Sequence, residues 1–182
     1  MAKVSLDNVF LGLLTHESSH GYQLRDHFRE QNCLATVWNL STSRLYSTLK
    51  QLESAQLISG HEEHSVDAPT RIVYTITDKG LQQFEQWLNH PQPSASTRAI
   101  RTEFLSRLYI CQLLNRPIES IIDAQALACK IYREQLITQR DQLEACVGYL
   151  SLDLRAREMT LILDWIHQAE TMFTPDKKVT NQ

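Results

Sequence analysis

The sequence predicts a mainly α-helical protein: an N-terminal winged helix-turn-helix (three helices, a two-stranded wing and a fourth helix) followed by a helical dimerisation arm. Three observations lead to this fold class. Apolar residues recur at helical spacing through most of the 182 residues. The β-branched and aromatic run at residues 71–76 is typical of a strand and follows three helical patterns. Prolines and serines at residues 91–96 interrupt the helical spacing.

The first two helices are predicted near the N-terminus. Apolar residues at helical spacing between Leu6 and Leu14 indicate helix one, with Ser5 as N-cap. A second helix is predicted from about His20 to Gln31, burying Tyr22, Leu24 and Phe28. Gly21 near its start allows another chain segment to approach closely.

The third helix follows a short extended stretch that contains Val37 and Trp38. Any residue of Ser41–Ser43 can cap this helix, because serine and threonine side chains accept hydrogen bonds from its first turn. Its apolar face holds Leu45, Leu49 and Leu52, and its other sides are polar.

The wing is predicted from Leu57-Ile58 and the run at residues 71–76, with a polar loop between them. Thr77 then caps a fourth helix whose apolar stripe contains Leu81, Phe84 and Leu88. We therefore predict a winged-helix domain over residues 1–90, a linker over 91–97, a helical dimerisation domain over 98–174 and a flexible tail over 175–182.

The second module is predicted as three helices, at about residues 98–114, 118–150 and 155–173, with Gly148 near the end of the long one. A small set of three helices buries its apolar stripes poorly, and a two-fold interface would supply the missing surface. The alternative is packing within one chain only. The candidate dimerisation residues are Leu143, Val147, Leu150, Ile162, Trp165, Ile166, Ala169 and Phe173.

The segments of the first module resemble the PadR family of bacterial transcription regulators. The resemblance lies in residues 10–14, 20–24, 45–53 and 57–58, and continues in Pro69-Thr70-Arg71 and residues 74–80. Residues 101–109 are similar to the virulence-activator-like C-terminal domain of some relatives. The resemblance implies a homodimer, a wing that reaches the DNA backbone or minor groove, and repression. The sequence departs from the family pattern at Ser43-Arg44 and around a wing with few basic residues.

The third helix has the chemistry of a DNA reader. A helix in the major groove presents short polar groups near its N-terminus and longer donors behind them. Arg44 can take a guanine edge, and Tyr46 and Lys50 can hold phosphates. The alternative is that Ser41 or Thr42 only caps the helix, that Tyr46 is partly core, and that Arg44 and Lys50 are solvated. The candidate DNA-binding residues are Ser41, Thr42, Ser43, Arg44, Tyr46, Ser47, Lys50 and Arg71.

Charge restricts how the chain can bind DNA. The net charge is −3, and residues 1–90 contain 7 basic and 10 acidic side chains. A DNA-binding face must therefore concentrate a few cations, and its affinity should depend strongly on salt. The sequence shows neither a leader nor a membrane-spanning apolar run, so a cytoplasmic protein is predicted.

Metal, cofactor and catalytic signatures are not recognisable in the sequence. Cys33, Cys111, Cys129 and Cys146 form no CxxC pair, and His61-Glu62-Glu63-His64 differs from HExxH and is predicted in a solvated wing loop. No cofactor, no metal and no enzyme activity are predicted.

Three functional hypotheses remain open. The first is a sequence-specific regulator that binds double-stranded DNA as a homodimer on an inverted repeat. The second is a protein-interaction module that kept the winged helix but lost DNA reading. The third, compatible with the first, is a sensor of a small-molecule effector near Tyr22, Trp38 or Tyr109.

Overall fold

The computed structural model describes residues 6–29, 33–65 and 68–173. They divide into two compact units, the first within residues 1–90 and 97–117, the second within residues 91–96 and 118–182. The elements are α1 (Asp7–His16), β1 (Ser19–His20), α2 (Gly21–Asp26), α3 (Cys33–Val37), α4 (Thr42–Ser54), β2 (Ile58–Ser65), β3 (Ala68–Ile76), α5 (Asp78–Leu88), α6 (Thr97–Ala99), a π-helical segment (Ile100–Phe104), α7 (Leu105–Leu113), α8 (Glu119–Arg140) and α9 (Val147–Phe173).

The first unit is a winged helix built around α1. This helix is buried over several successive positions, from Val9 to Leu14, because it packs against α5, α7 and β3. Gly12 permits the close approach: a Cβ atom there would lie 2.9 Å from side-chain atoms of both Phe84 and Ile110. The apolar faces of the surrounding helices therefore enclose one core.

The wing is the antiparallel hairpin of β2 and β3, and β1 adds a short third strand in the order β1-β3-β2. Ile58 pairs with Ile76 at the base of the hairpin, and Glu63 pairs with Arg71 farther along it. His20 pairs with Val73 on the other side of β3. The short β1 therefore joins the start of α2 to the wing.

The first unit confirms the predicted caps. Ser41 accepts the backbone N–H of Arg44 at 3.2 Å and begins α4, and Thr77 accepts that of Gly80 at 3.1 Å and begins α5. Leu45, Leu49 and Leu52 are buried as the periodicity predicts. These caps satisfy N–H groups that have no partner within the helix.

Several local predictions for this unit were wrong. Helix α2 ends at Asp26, far before Gln31, and Tyr22 is exposed by 41%. Val37, predicted in an extended stretch with Trp38, is instead the last residue of the short helix α3, and Trp38 follows that helix. The segment His61–His64 lies on β2 instead of in a loop, because β2 pairs with β3 as far as Ser65. The predicted cap Ser5 and the tail 175–182 lie outside the described residues.

Helix α7 belongs to the first compact unit. It packs against α1 and α3, and its Leu108, Ile110 and Cys111 are buried. A helix near residues 98–114 was predicted, but within the dimerisation domain. The division into two compact units reflects how the helices pack. The predicted domains are defined by function, and packing does not test them.

The second unit is a helical hairpin of α8 and α9. Leu136 on α8 and Met159 and Ile166 on α9 are buried. Arg140 and Asp153 connect the two helices by an ion pair of 2.8 Å. The helix break was predicted wrongly, because the turn lies at residues 141–146 and Gly148 is inside α9. Across the described parts of both units, every helix is too short or too polar to cross a bilayer.

Candidate nucleic-acid interface

Helix α4 presents a polar side outward. Its buried side is formed by Leu45, Leu49 and Leu52, and these positions leave the remaining sides to solvent. Tyr46 is exposed by 50%. The N-cap and six residues of α4 that are candidates for DNA binding are all exposed: Ser41, Thr42, Ser43, Arg44, Tyr46, Ser47 and Lys50.

The first turn of α4 uses part of its hydrogen-bonding capacity internally. Ser41 accepts from the N–H of Arg44, and Ser47 donates its hydroxyl to the carbonyl of Arg44 at 2.9 Å. The hydroxyl proton of Ser41 stays available for an acceptor, because the cap uses only its oxygen. Capping and phosphate binding are therefore compatible at this residue.

The two cations of α4 are available to an anionic partner. Arg44 and Lys50 are exposed, and neither forms an ion pair with a described residue. Glu53 on the same helix is turned toward the wing, where its carboxylate accepts the backbone N–H of Gly60 at 3.1 Å. The polar side of α4 therefore combines unpaired positive charge with the positive end of the helix dipole.

Gly21 allows α2 to approach the ring of Tyr46. A Cβ atom at Gly21 would lie 2.9 Å from Cε1 of Tyr46, so a side chain there would displace the ring. The predicted close approach at Gly21 is confirmed. Tyr46 has one side against α2 and half of its surface in solvent.

Arg71 is the wing cation predicted to contact DNA, and it is exposed. Its guanidinium lies 5.4 Å from the ring centroid of Tyr22, and its Nη1 is 3.5 Å from the Tyr22 hydroxyl. The ring of His20 stacks on the ring of Tyr22, with the two centroids 5.3 Å apart. The sequence did not reveal that His20 and Tyr22 support this cation, because they are about fifty positions from it.

Glu62 and Glu63, the acidic residues in the described part of the wing, each lie near a histidine. Nε2 of His20 lies 3.2 Å from Oε2 of Glu63, and that of His64 lies 3.6 Å from Oε2 of Glu62. Within residues 6–29, 33–65 and 68–173 no group of three or more potential ligands is placed to hold a metal ion.

The aromatic residues considered for an effector site do not converge. Trp38 donates its indole N–H to Ser106 at 2.8 Å, and the Tyr109 hydroxyl lies 2.8 Å from Nδ1 of His27. Tyr22 instead contacts Arg71. The polar groups of these three rings therefore have separate partners in the first unit.

The predicted dimerisation residues fall into two groups. Leu143, Val147, Leu150, Trp165 and Phe173 are exposed and Ile162 is half-buried. Ile166 and Ala169 are buried within the single chain and have little surface left for a partner, so they are poor candidates. Three further exposed apolar residues of α9 are not among the predicted dimerisation residues: Leu154, Leu161 and Met172.

The exposed apolar stripe of α9 consists of Val147, Leu150, Leu154 and Leu161. Its members are exposed by 60–83% and follow a heptad spacing. That spacing was the signal that could have identified Leu154 and Leu161 from the sequence.

Part of the chain is similar in sequence to known transcriptional regulators. Residues 10–86 match the model of the transcriptional regulator PadR-like family. The negative transcriptional regulator PadR of Bacillus subtilis (strain 168) is 30% identical over 111 residues, which is 61% of this chain and 59% of that protein. The match therefore spans less than two thirds of the curated relative.

Two solved structures of similar proteins are from Bacillus subtilis. PadR in complex with operator DNA is 24% identical, with a TM-score of 0.46, and the match covers 92% of this chain and 97% of that one. PadR in complex with p-coumaric acid is 24% identical, with a TM-score of 0.42 and coverage of 94% and 96%.

Proposed function

We propose that the chain is a sequence-specific DNA-binding transcription regulator, and the match of residues 10–86 to the model of the transcriptional regulator PadR-like family supports this proposal. The observation that carries this proposal is the exposed polar side of α4, on which Arg44 and Lys50 are unpaired among the described residues. A recognition helix needs such a side to enter the major groove. We propose no catalytic reaction for the chain and place its action in the cytoplasm.

The candidate residues take different roles in this proposal. Arg44 reads a guanine edge, because its guanidinium can donate two parallel hydrogen bonds. Ser41, Thr42, Ser43, Ser47, Tyr46 and Lys50 hold phosphates or neighbouring base edges, and Arg71 reaches the backbone from the wing.

We propose further that two copies act together as a repressor on an inverted repeat. The exposed apolar stripe of α9 supports pairing, because such a stripe loses its contact with water in a two-fold interface. Repression is supported by the curated relative, which is a negative regulator. Two-fold symmetry of the protein corresponds to two half-sites in the DNA.

The test is selection of bound sequences from a random pool of duplex DNA by the purified full chain. We expect enrichment of an inverted repeat, followed by preferential binding of that duplex over random DNA at about 0.15 M salt. A pool that shows no enrichment would overturn DNA reading. Enrichment of a single half-site would retain DNA reading and overturn the two-fold arrangement.

The acidic balance of residues 1–90 favours a second candidate, a winged-helix module that binds protein. This alternative predicts no enrichment in the same selection and a stable complex with a protein bearing a basic surface, since opposite charges steer association. The two candidates therefore give opposite results in one experiment.

A further inference from the structure

Glu63 and Arg71 face each other across the wing, yet their side chains have different partners. They are directly paired in the β2–β3 ladder, a position in which opposite charges attract. The Glu63 carboxylate instead lies 3.2 Å from Nε2 of His20, and the Arg71 guanidinium lies over the ring of Tyr22.

We propose that His20 is a positioning residue that holds Glu63 away from Arg71, leaving the Arg71 guanidinium free for a DNA phosphate. The proposal rests on the proposed DNA-binding function. Without His20, the carboxylate of Glu63 would pair with Arg71, which would neutralise the wing cation and place negative charge beside the phosphate.

The position of the His20 ring is fixed from several directions. Its side chain is only 15% exposed, and its Nδ1 lies 3.1 Å from the carbonyl oxygen of Ile72. The backbone N–H of His20 donates to the side chain of Gln23 at 2.8 Å, and the ring stacks on Tyr22. A ring held in this way keeps Nε2 directed at Glu63 at little further cost in side-chain entropy. Because Nδ1 and Nε2 both face oxygen acceptors, the two contacts are hydrogen bonds when both nitrogens carry a proton.

Tyr22 completes the arrangement, because it contacts both His20 and Arg71. The Tyr22 ring offers the Arg71 guanidinium a contact other than the Glu63 carboxylate, since a guanidinium is attracted to the face of an aromatic ring. This attraction is weaker than an ion pair with phosphate, so Arg71 can leave the ring when DNA binds. His20 therefore contacts Glu63, and Tyr22 contacts Arg71, the two residues of one cross-strand pair.

The test measures binding to the duplex obtained by selection, over a series of salt concentrations. His20→Phe keeps a ring for Tyr22 and loses the hydrogen-bond donor. We expect it to weaken binding about three- to tenfold and to reduce the salt slope by about 1, as for loss of one phosphate contact. Arg71→Ala should give a similar loss.

Rescue distinguishes positioning from a purely structural role. Adding Glu63→Gln to His20→Phe removes the competing charge and should restore the wild-type affinity and salt slope. His20→Gln, which keeps an N–H donor for Glu63, should bind nearly as well as wild type. If His20→Phe does not fold, His20→Leu replaces it in the same rescue.

Wild-type affinity in His20→Phe, or failure of Glu63→Gln to rescue it, would overturn the role of His20 while leaving DNA binding intact. Absence of specific binding by the wild-type chain would overturn the proposed function itself, and the inference with it.

Discussion

The indole N–H of Trp38 donates to the hydroxyl of Ser106 at 2.8 Å, and both side chains are buried. The two residues are 68 positions apart in the sequence. Trp38 lies four residues before the start of α4, and Ser106 lies on α7. The segment before the candidate recognition helix is therefore held by a buried residue of α7, which lies within the predicted dimerisation domain.

Replacing Ser106 with alanine should destabilise the protein by about 1–3 kcal/mol, because the buried indole N–H of Trp38 would lose its acceptor. Denaturant unfolding measures the change. Ser151→Ala, at an exposed position of α9, is the control and should alter stability by less than about 0.5 kcal/mol. Equal effects of the two substitutions would show that the hydrogen bond does not stabilise the fold.

Gly80→Ala should also be destabilising. A Cβ atom at this position would lie 2.0 Å from the carbonyl oxygen of Leu57, a backbone atom that already accepts the N–H of Thr77. Relief requires moving α5 relative to the base of the wing, at a cost of about 1–3 kcal/mol. Gly148→Ala is the matched control, because its nearest neighbour is a side-chain atom 3.4 Å away. Thermal unfolding should show a lower melting temperature for Gly80→Ala only.

The sequence predicted those features that depend on local chemistry. The cap at Ser41 and the buried side of α4 follow from residue type and from helical spacing. The turn at residues 141–146 could not be predicted, because it contains neither glycine nor proline, and Leu143, Val147 and Leu150 continue a helical spacing through it.

In the candidate site, the exposed residues of α4 could be predicted from the sequence, whereas the contacts around the wing could not. The exposed residues of α4 follow from the positions of its buried leucines, since the opposite faces of a helix are fixed by its period. The contacts of His20 with Glu63 and of Tyr22 with Arg71 join segments distant in the sequence, and they depend on strand register. Helical spacing carries no information about that register.

Stability should fall as pH decreases below about 6.5, through His27. Partial burial lowers the pKa of His27 from its ordinary value of 6.5; His16 acts in the same direction, whereas Glu17 and Asp26 oppose the shift. The unfolded chain therefore takes up the proton first as pH falls. The contribution is present in full above pH 6.5 and is lost progressively toward the lower pKa of the folded state.

The measurement is the melting temperature between about pH 7.5 and pH 5.5, a range that spans the ordinary pKa of histidine. His27→Gln removes the titrating group and keeps a hydrogen-bonding partner for Tyr109, whose hydroxyl lies 2.8 Å from the His27 ring. The wild-type melting temperature should fall more steeply with acid than that of the variant. Parallel curves would remove His27 as the cause.

Arg44→Ala and Tyr46→Ala should weaken specific DNA binding without unfolding the protein, because both side chains are exposed on α4. For Arg44 we expect a loss of about 1–3 kcal/mol and a relaxed preference at one base position. Competition between the selected duplex and single-base variants measures both. Arg98→Ala, an exposed arginine outside α4, is the control. Unchanged affinity in both α4 variants would remove the assignment of α4 as the recognition helix.

The stripe of α9 should hold two copies together. Leu154 and Leu161 are exposed by 60% and 70%, so glutamate at both positions fits the single chain but would place charge in an apolar interface. Sedimentation should show a dimer for the wild-type chain and a monomer with unchanged helix content for Leu154→Glu combined with Leu161→Glu. Glu158→Gln, at an exposed position between them, should remain dimeric. A double variant that still sediments as a dimer would place the interface elsewhere, and a monomeric wild-type chain would overturn the two-fold arrangement proposed for DNA binding.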